Sequence, residues 1–189
     1  MFKSVGRAPK RTGLEYAKRE NSGGLITDMG IHDFDLARWP MGSDVTRMQS
    51  EGSCVVFPEL NEVGDIDNAV VNLKFANNAV RNIDVSRNAV YGYGIRTEVL
   101  GSEAAVMIGK MQQTATLTFT CNGVTHDTVR YFMERFGDVY GDEIWGFVNC
   151  IVEDRPPSVL GQEARPARII GVAAICSLDE SRPVFIGEI

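Results

Sequence analysis

The stretch Ala69-Val70-Val71-Asn72-Leu73-Lys74-Phe75 decides the fold. Side chains alternate between the two faces of a strand, so Ala69, Val71, Leu73 and Phe75 share one apolar face, opposite Val70, Asn72 and Lys74. Asn77-Asn78 supplies a tight turn, and residues 79–87 return as a second strand. Outward toward the C-terminus, 94–101 and 104–109 read as two more strands around a turn at Gly101-Ser102-Glu103. Ala115, Leu117, Phe119 and Cys121 then alternate with Thr114, Thr116, Thr118 and Thr120. Asn122-Gly123 follows, a strong hairpin signal, and 124–129 return. Outward toward the N-terminus lie strands at 45–57 and 2–7. Short consecutive strands joined by tight turns predict an antiparallel sheet.

Elsewhere the period is helical. A helix is expected over about 28–40, apolar on several sides and stopped by Pro40 and Gly42. Phe132, Phe136, Tyr140, Ile144, Phe147 and Ile151 outline the apolar face of a second helix, ended by Pro156-Pro157. A third is expected over 162–179, with Ile169, Val172, Ala173 and Cys176 inward and Pro166 in its first turn. Val184-Phe185-Ile186 reads as a small edge strand, and 8–24 as an irregular loop. The class is therefore α+β: an open, mainly antiparallel sheet with helices on one face. The other face is solvated or covered by another subunit, and the threonine ladder at 114–120 suits either case.

At 189 residues the chain can build one good core or two small domains. With 44% hydrophobic and 23% charged residues it has the composition of a globular protein. A net charge of -6 argues against a nucleic-acid surface, which carries a basic patch. Lys3, Arg7, Lys10, Arg11, Lys18 and Arg19 do gather near the start, where they flank a polar pocket or lie solvated. No apolar run is long enough to span a membrane. The four cysteines, Cys54, Cys121, Cys150 and Cys176, form no CxxC pair, and a reduced, cytoplasmic protein is expected. Phe2 opens a strand with almost no lead-in, as in a chain entered partway.

The residue types needed for proton transfer gather in Asn21-Ser-Gly-Gly-Leu-Ile-Thr-Asp28-Met-Gly-Ile-His32-Asp-Phe-Asp35-Leu-Ala-Arg-Trp39. Gly23-Gly24 permits a sharp turn, and Thr27 or Asp28 can cap the helix that follows. Asp28 and His32 are one turn apart on a shared face, continued by Asp35 and Trp39. A carboxylate so placed can orient an imidazole and stabilise its charged form, which suits His32 to take a proton from a substrate hydroxyl. The alternative is a satisfied histidine on a partly buried helix, with Asp28 merely a cap. A metal site from Asp28, His32 and Asp35 has little support, because the one other histidine is His126 and no Cys/His cluster accompanies it. Gly92-Tyr93-Gly94 begins a dinucleotide fingerprint, but Thr97 stands at the third glycine position and a strand, not a helix, follows.

The stretch Gly23–Trp39 closely resembles the signature helix of the glucose–fructose oxidoreductase / inositol dehydrogenase (Gfo/Idh/MocA) family of oxidoreductases. Ser86-Arg-Asn-Ala-Val-Tyr91-Gly-Tyr93-Gly-Ile-Arg96-Thr-Glu-Val-Leu-Gly101 fits the same family and looks most like inositol 2-dehydrogenases. Arg155-Pro-Pro-Ser-Val-Leu-Gly161 and Ser181-Arg-Pro-Val fit in the same order. Enzymes of this family join an N-terminal Rossmann domain, which binds NAD(H) or NADP(H), to an α+β domain with an open sheet. The resemblance implies that residues 1–189 are the second domain only, because the family's Gly-rich loop and Glu-Lys-Pro motif have no counterpart here.

It further implies that His32 is the general acid/base and Asp28 its partner, that Tyr91 or Tyr93 lines a polyol or sugar site, and that the open sheet face packs against a second subunit. The cofactor, NAD or NADP, would not be bound by this chain alone. Two departures bear on specificity. The family often follows Arg with Asp or Asn and then Pro at the end of the first strand, where this chain has Arg7-Ala8-Pro9, losing a polar substrate contact. The family's Tyr-Gly-Tyr-Asp is Tyr-Gly-Tyr-Gly94 here, which removes a carboxylate. The competing expectation is a non-enzymatic carbohydrate-binding or oligomerisation module that kept the fold. A related enzyme using the same cofactor for glycoside cleavage stands as a third reading.

Overall fold

β3 (Asn68–Phe75) and β4 (Val80–Ser86) form the expected antiparallel pair. Asn77 makes the turn between them, its side-chain oxygen accepting the Ala79 N–H at 3.0 Å, while Asn78 takes φ 68°. The computed structural model describes residues 1–9, 12–109 and 111–189. Lys10 and Arg11, counted among the early basic residues, lie outside them. β1 (Phe2–Arg7) pairs with β4 in parallel, the one parallel pairing of the sheet among the described residues. β5 (Gly94–Leu100) and β6 (Ala105–Ile108) extend that edge, and β2 (Val45–Ser53) and β9 (Val184–Phe185) the other. The order of the seven strands is β6-β5-β1-β4-β3-β2-β9. β7 (Leu117–Thr120) and β8 (Gly123–His126) form a hairpin of their own, not part of the broad sheet, with every residue exposed.

Among the described residues there are five α-helices: α1 (Leu14–Ala17), α2 (Arg19–Ser22), α3 (Gly24–Met41), α4 (Phe132–Val152) and α5 (Gly161–Glu180). The segment expected to be irregular, 8–24, thus holds two helical turns. The core lies among Leu25, Phe34 and Ala37 of α3, Ile170, Ala173 and Ala174 of α5, and the inward residues of β2, β3 and β4. The inward face of α5 is rotated from expectation: Ile170 and Ala174 are buried where Ile169 and Val172 are only half-buried. Ser177 ties this helix to the sheet, accepting the Ser50 N–H at 3.0 Å and donating to the Arg182 carbonyl at 2.6 Å.

α3 begins earlier than its sequence cues imply. Neither Thr27 nor Asp28 caps it; both are interior residues. Gly23 and Gly24 take left-handed φ of 77° and 70°, and the Leu25 N–H is capped from outside by Asp65 Oδ1 at 2.8 Å. A side chain at Gly24 would put its Cβ 2.8 Å from that same oxygen, so glycine admits the cap. Pro40 does not stop the helix; Gly42 does, in the left-handed conformation, its N–H bonded to the Arg38 carbonyl. Pro166 likewise sits beyond the first turn of α5, inside the helix.

α4 departs most from expectation. It bends at Phe136, whose φ and ψ of -117° and 17° are not helical. Cys150 is its one buried residue, so the predicted inward face is open. Register also places Gln49, Asn72, Asn82, Lys3 and Glu98 in one row across β2, β3, β4, β1 and β5. The Asn82 amide donates to Asn72 at 2.9 Å within that row. Among the described residues no helix is long and apolar enough to cross a membrane.

Candidate functional site

Asp28 lies on α3 one turn before His32, as the spacing predicts, but the two side chains make no hydrogen bond or ion pair. His32 is exposed, as are Asp35 and Trp39 further along. The half-buried Asp28 carboxylate is engaged elsewhere: the Tyr16 hydroxyl donates to one oxygen at 2.8 Å, and Arg87 Nη2 to the other at 2.7 Å. The hydrogen bond from Tyr16 holds its phenol above the usual tyrosine range, because ionisation would set two negative charges side by side.

Arg87 is buried, and its Nη1 donates to the buried Asp65 at 2.9 Å. One carboxylate, Asp65, therefore caps the start of α3 and, through Arg87, reaches Asp28. A buried guanidinium flanked by two carboxylates with fixed hydrogen bonds holds its geometry well, since separating any member strands a desolvated charge. This connection ties the Asp28 carboxylate to both the β4 terminus and the turn before β3.

The opposite flank of α3 carries Asp33, which is buried against β1. Ser4 donates a short hydrogen bond to it, and Arg81 Nη2 lies 3.7 Å away. Burial pushes the Asp33 carboxyl up, against the opposing pull of Ser4, Arg81 and His32. Burial also lowers Arg81 to about 9. Its guanidinium sits 3.5 Å over the Phe2 ring, and none of its three nitrogens has a hydrogen-bond partner among the described residues.

Arg7 and Tyr91 form a second group. Arg7 pairs with Asp84 through both guanidinium nitrogens, one at 2.6 Å and the other closer. That hydrogen bond is the main reason its pKa is raised, and Tyr91 adds to it. Gly94 has a local reason here. A Cβ at that position would meet the Tyr91 hydroxyl at 3.0 Å, so an aspartate could not stand there without moving the ring.

Tyr93 belongs to an aromatic cluster, its ring centroid 6.2 Å from those of Phe132 and Phe136. Burial pushes its phenol up to about 12, and the Asp28 and Asp33 charges add to the effect. The structure thus brings Tyr93 within electrostatic reach of Asp28 and joins Arg7 to Tyr91. No hydrogen bond or ion pair links either group to His32 among the described residues.

Sequence reasoning missed Tyr16, Asp65 and Arg87. A charged residue directly after an apolar strand, Val85-Ser86-Arg87, was the available signal for Arg87. Tyr16 and Asp65 gave none, because their partners are distant in the chain.

The turn at Gly92-Tyr93-Gly94 does not fit a dinucleotide. Gly92, at φ 120°, is glycine because a Cβ would come 2.3 Å from the Val129 carbonyl, and the Tyr93 N–H is spent on that carbonyl at 2.7 Å. The amides a pyrophosphate would need are thus used to close the chain, and β5 follows in place of a helix.

Residues 2–107 match the family described as GFO/IDH/MocA C-terminal domain. The chain is 37% identical over its whole length to myo-inositol 2-dehydrogenase of Thermotoga maritima, covering 56% of that protein. It is 30% identical to scyllo-inositol 2-dehydrogenase (NAD(+)) of Bacillus subtilis, over 87% of this chain and 48% of that one. Among solved structures, a probable dehydrogenase from Thermotoga maritima superposes with a TM-score of 0.92 at 36% identity, over all of this chain and 57% of that one. The chain spans about half the length of the curated relatives it matches. A matching fold, a match covering more than half of the chain and relatives of this identity together place it: the chain belongs to the GFO/IDH/MocA family of oxidoreductases and matches its C-terminal domain.

Proposed function

We propose that residues 1–189 form one domain, the substrate-binding and oligomerisation domain of an NAD(P)-dependent dehydrogenase acting on a cyclic polyol or sugar, and that this domain is not active alone. The observation that carries this reading is the Asp28 carboxylate, fixed by Arg87 and Tyr16 one helical turn before the exposed His32. His32 is the general acid/base: it takes the proton of the substrate hydroxyl as that carbon is oxidised. Asp28 partners it, held ready on the same face of α3. Arg7, Tyr91 and Tyr93 supply polar edges for the remaining hydroxyls. The names of the relatives, inositol dehydrogenases, support a cyclic polyol, and one of them names NAD(+). The cofactor supplies hydride acceptance when bound. Because the turn at Gly92-Tyr93-Gly94 does not fit it, residues outside this chain are taken to hold it.

The sheet row from Gln49 to Glu98 is amide-rich and mixed in charge, which suits a second copy of the domain packed on that face. Light scattering on the purified chain tests this, and a monomer at every concentration removes it. A cytoplasmic location fits the four cysteines, all free.

The catalytic test joins this chain to the nucleotide-binding part of the Thermotoga relative. The fusion should reduce NAD or NADP when inositol is added. His32→Ala should slow it at least about tenfold, the low end of what a general base contributes. Unchanged turnover in that variant removes His32 from the mechanism.

One observation favours a non-catalytic module instead. Arg7 is committed to Asp84 and Tyr91, and Gly94 adds no free carboxylate for a substrate hydroxyl. Inositol binding by this chain with no turnover in any fusion would select that alternative.

A further inference from the structure

Tyr16 is 51% exposed although its hydroxyl is already bonded. α1 seats its neighbour Ala17 in the interior and leaves Tyr16 on the wall that leads into Gly23-Gly24 and α3. Asn21 fastens the next turn back onto α1, its amide donating to the Glu15 carbonyl at 2.7 Å. The ring is therefore placed by its backbone at one end and by Asp28 at the other, not by burial in a core.

The direction of the Tyr16–Asp28 bond is set by what lies behind it. Asp28 Oδ2 takes Arg87 Nη2 at 2.7 Å, and Arg87 is buried with its other nitrogen on Asp65. A carboxylate so paired accepts and does not donate, so the single proton of the Tyr16 hydroxyl points to Asp28 Oδ1. The same bond holds that phenol above the usual tyrosine range, which keeps the proton in place at neutral pH. What the hydroxyl has left for a ligand is lone pairs alone. It can receive a hydrogen bond from an alcohol and has none to give to a carbonyl or an ether.

His32 is exposed and lies one turn beyond Asp28 on the same helix face, a spacing of about 5–6 Å between Cβ atoms. An imidazole able to take a proton and a hydroxyl able only to accept thus neighbour one fixed carboxylate. A cyclic polyol carries a hydroxyl on each ring carbon, so with one of them at His32 the next along the ring can reach Tyr16.

We infer that Tyr16 is a specificity-determining residue of the polyol site, accepting a hydrogen bond from a substrate hydroxyl near the one that is oxidised. The inference rests on the proposed function, which places the reacting hydroxyl at His32. It makes the site select a donor at that position. A polyol therefore outranks the same ring with that hydroxyl missing, methylated or oxidised to a carbonyl.

The test uses the fusion described above with myo-inositol and with inositols that each lack one hydroxyl. Tyr16→Phe keeps the ring and removes the hydroxyl. It should raise KM for myo-inositol about threefold to tenfold, the contribution of one neutral hydrogen bond. Turnover at saturation should stay within about twofold, because Arg87 still holds Asp28. One deoxy compound, the one lacking the hydroxyl that meets Tyr16, should show the same KM in both enzymes.

An unchanged KM for myo-inositol overturns the inference. So does an equal rise for every compound, the mark of a tyrosine that only supports the fold. If the unsubstituted fusion shows no inositol-dependent turnover, the catalytic reading falls by itself, and calorimetry of myo-inositol with this chain decides the role of Tyr16. Weaker binding in Tyr16→Phe, absent for one deoxy compound, then upholds the contact. Equal binding, or no binding, overturns it.

Discussion

α4 and α5 were read from the same kind of signal and ended in opposite situations. Both are long amphipathic helices, 21 and 20 residues, in the last third of the chain. α5 buries Ile170, Ala173 and Ala174 against α3 and the sheet, and α4 buries Cys150 alone. The inward residues of α5 are mostly small. Gly171 faces Phe34 and Thr27 of α3, where an added Cβ would be 3.6 Å from the Thr27 hydroxyl. Small residues let α5 approach α3 closely, whereas the large side chains of α4 beyond its Tyr93 contact, from Ile144 to Val152, stay exposed. Periodicity tells which side chains share a face; it does not tell what covers that face.

Four substitutions, each followed by urea denaturation of this chain, would break or sharpen that contrast. The largest loss is expected where burial and charge coincide. Arg87→Met leaves the buried Asp65 carboxylate without its guanidinium partner, and should cost about 3–5 kcal/mol. A loss below 1 kcal/mol would mean that Asp65 finds water and that α3 is not clamped.

Ile170→Ala, on the covered helix, should cost about 2–5 kcal/mol by opening a cavity. Asp67→Ala should cost about 1–3 kcal/mol. Burial of Asp67 opposes its ionisation, but the backbone N–H groups of Val55, Phe57 and Val56 and the Asn68 amide win and hold its pKa below the usual value. A lowered folded pKa adds stability above the ordinary carboxylate pKa, and that stability is lost as pH falls through the folded value. The variant should therefore show a flatter loss of stability on acidification below the ordinary aspartate pKa, and an unchanged acid limb would argue that those amides do not select the charged form. Phe147→Ala on α4 should change stability by no more than about 0.5 kcal/mol, as for a surface site. A loss as large as that of Ile170→Ala would place α4 in a core and erase the contrast.

The sheet was the most legible part. Alternation at 69–75 and the Asn77-Asn78 turn located β3 and β4 to within a residue, because one face of each strand is buried and register is thereby constrained. The parallel pairing of β1 with β4 was not legible: two strands some eighty residues apart leave no local mark of becoming neighbours. The Asn122-Gly123 hairpin was read correctly as a hairpin but assigned to the wrong sheet, because a turn fixes its own two strands and nothing beyond them. Asp28 and His32 were legible as an i, i+4 pair. The partners that hold Asp28 were not, because Tyr16 and Arg87 reach it across 12 and 59 residues of sequence.

Sequence alone determined the class, most of the long strands and helices, the family resemblance and the candidates for proton transfer, since all of these are carried by spacing within short stretches. Only the tertiary structure decided which acid caps α3, why Gly24 and Gly94 must be small, that Asp28 bonds to Arg87 and Tyr16 instead of His32, and that α4 stands uncovered. Each of those depends on how close two distant segments come, and hydrogen bonds and packing vary over ångströms that no one-dimensional pattern records.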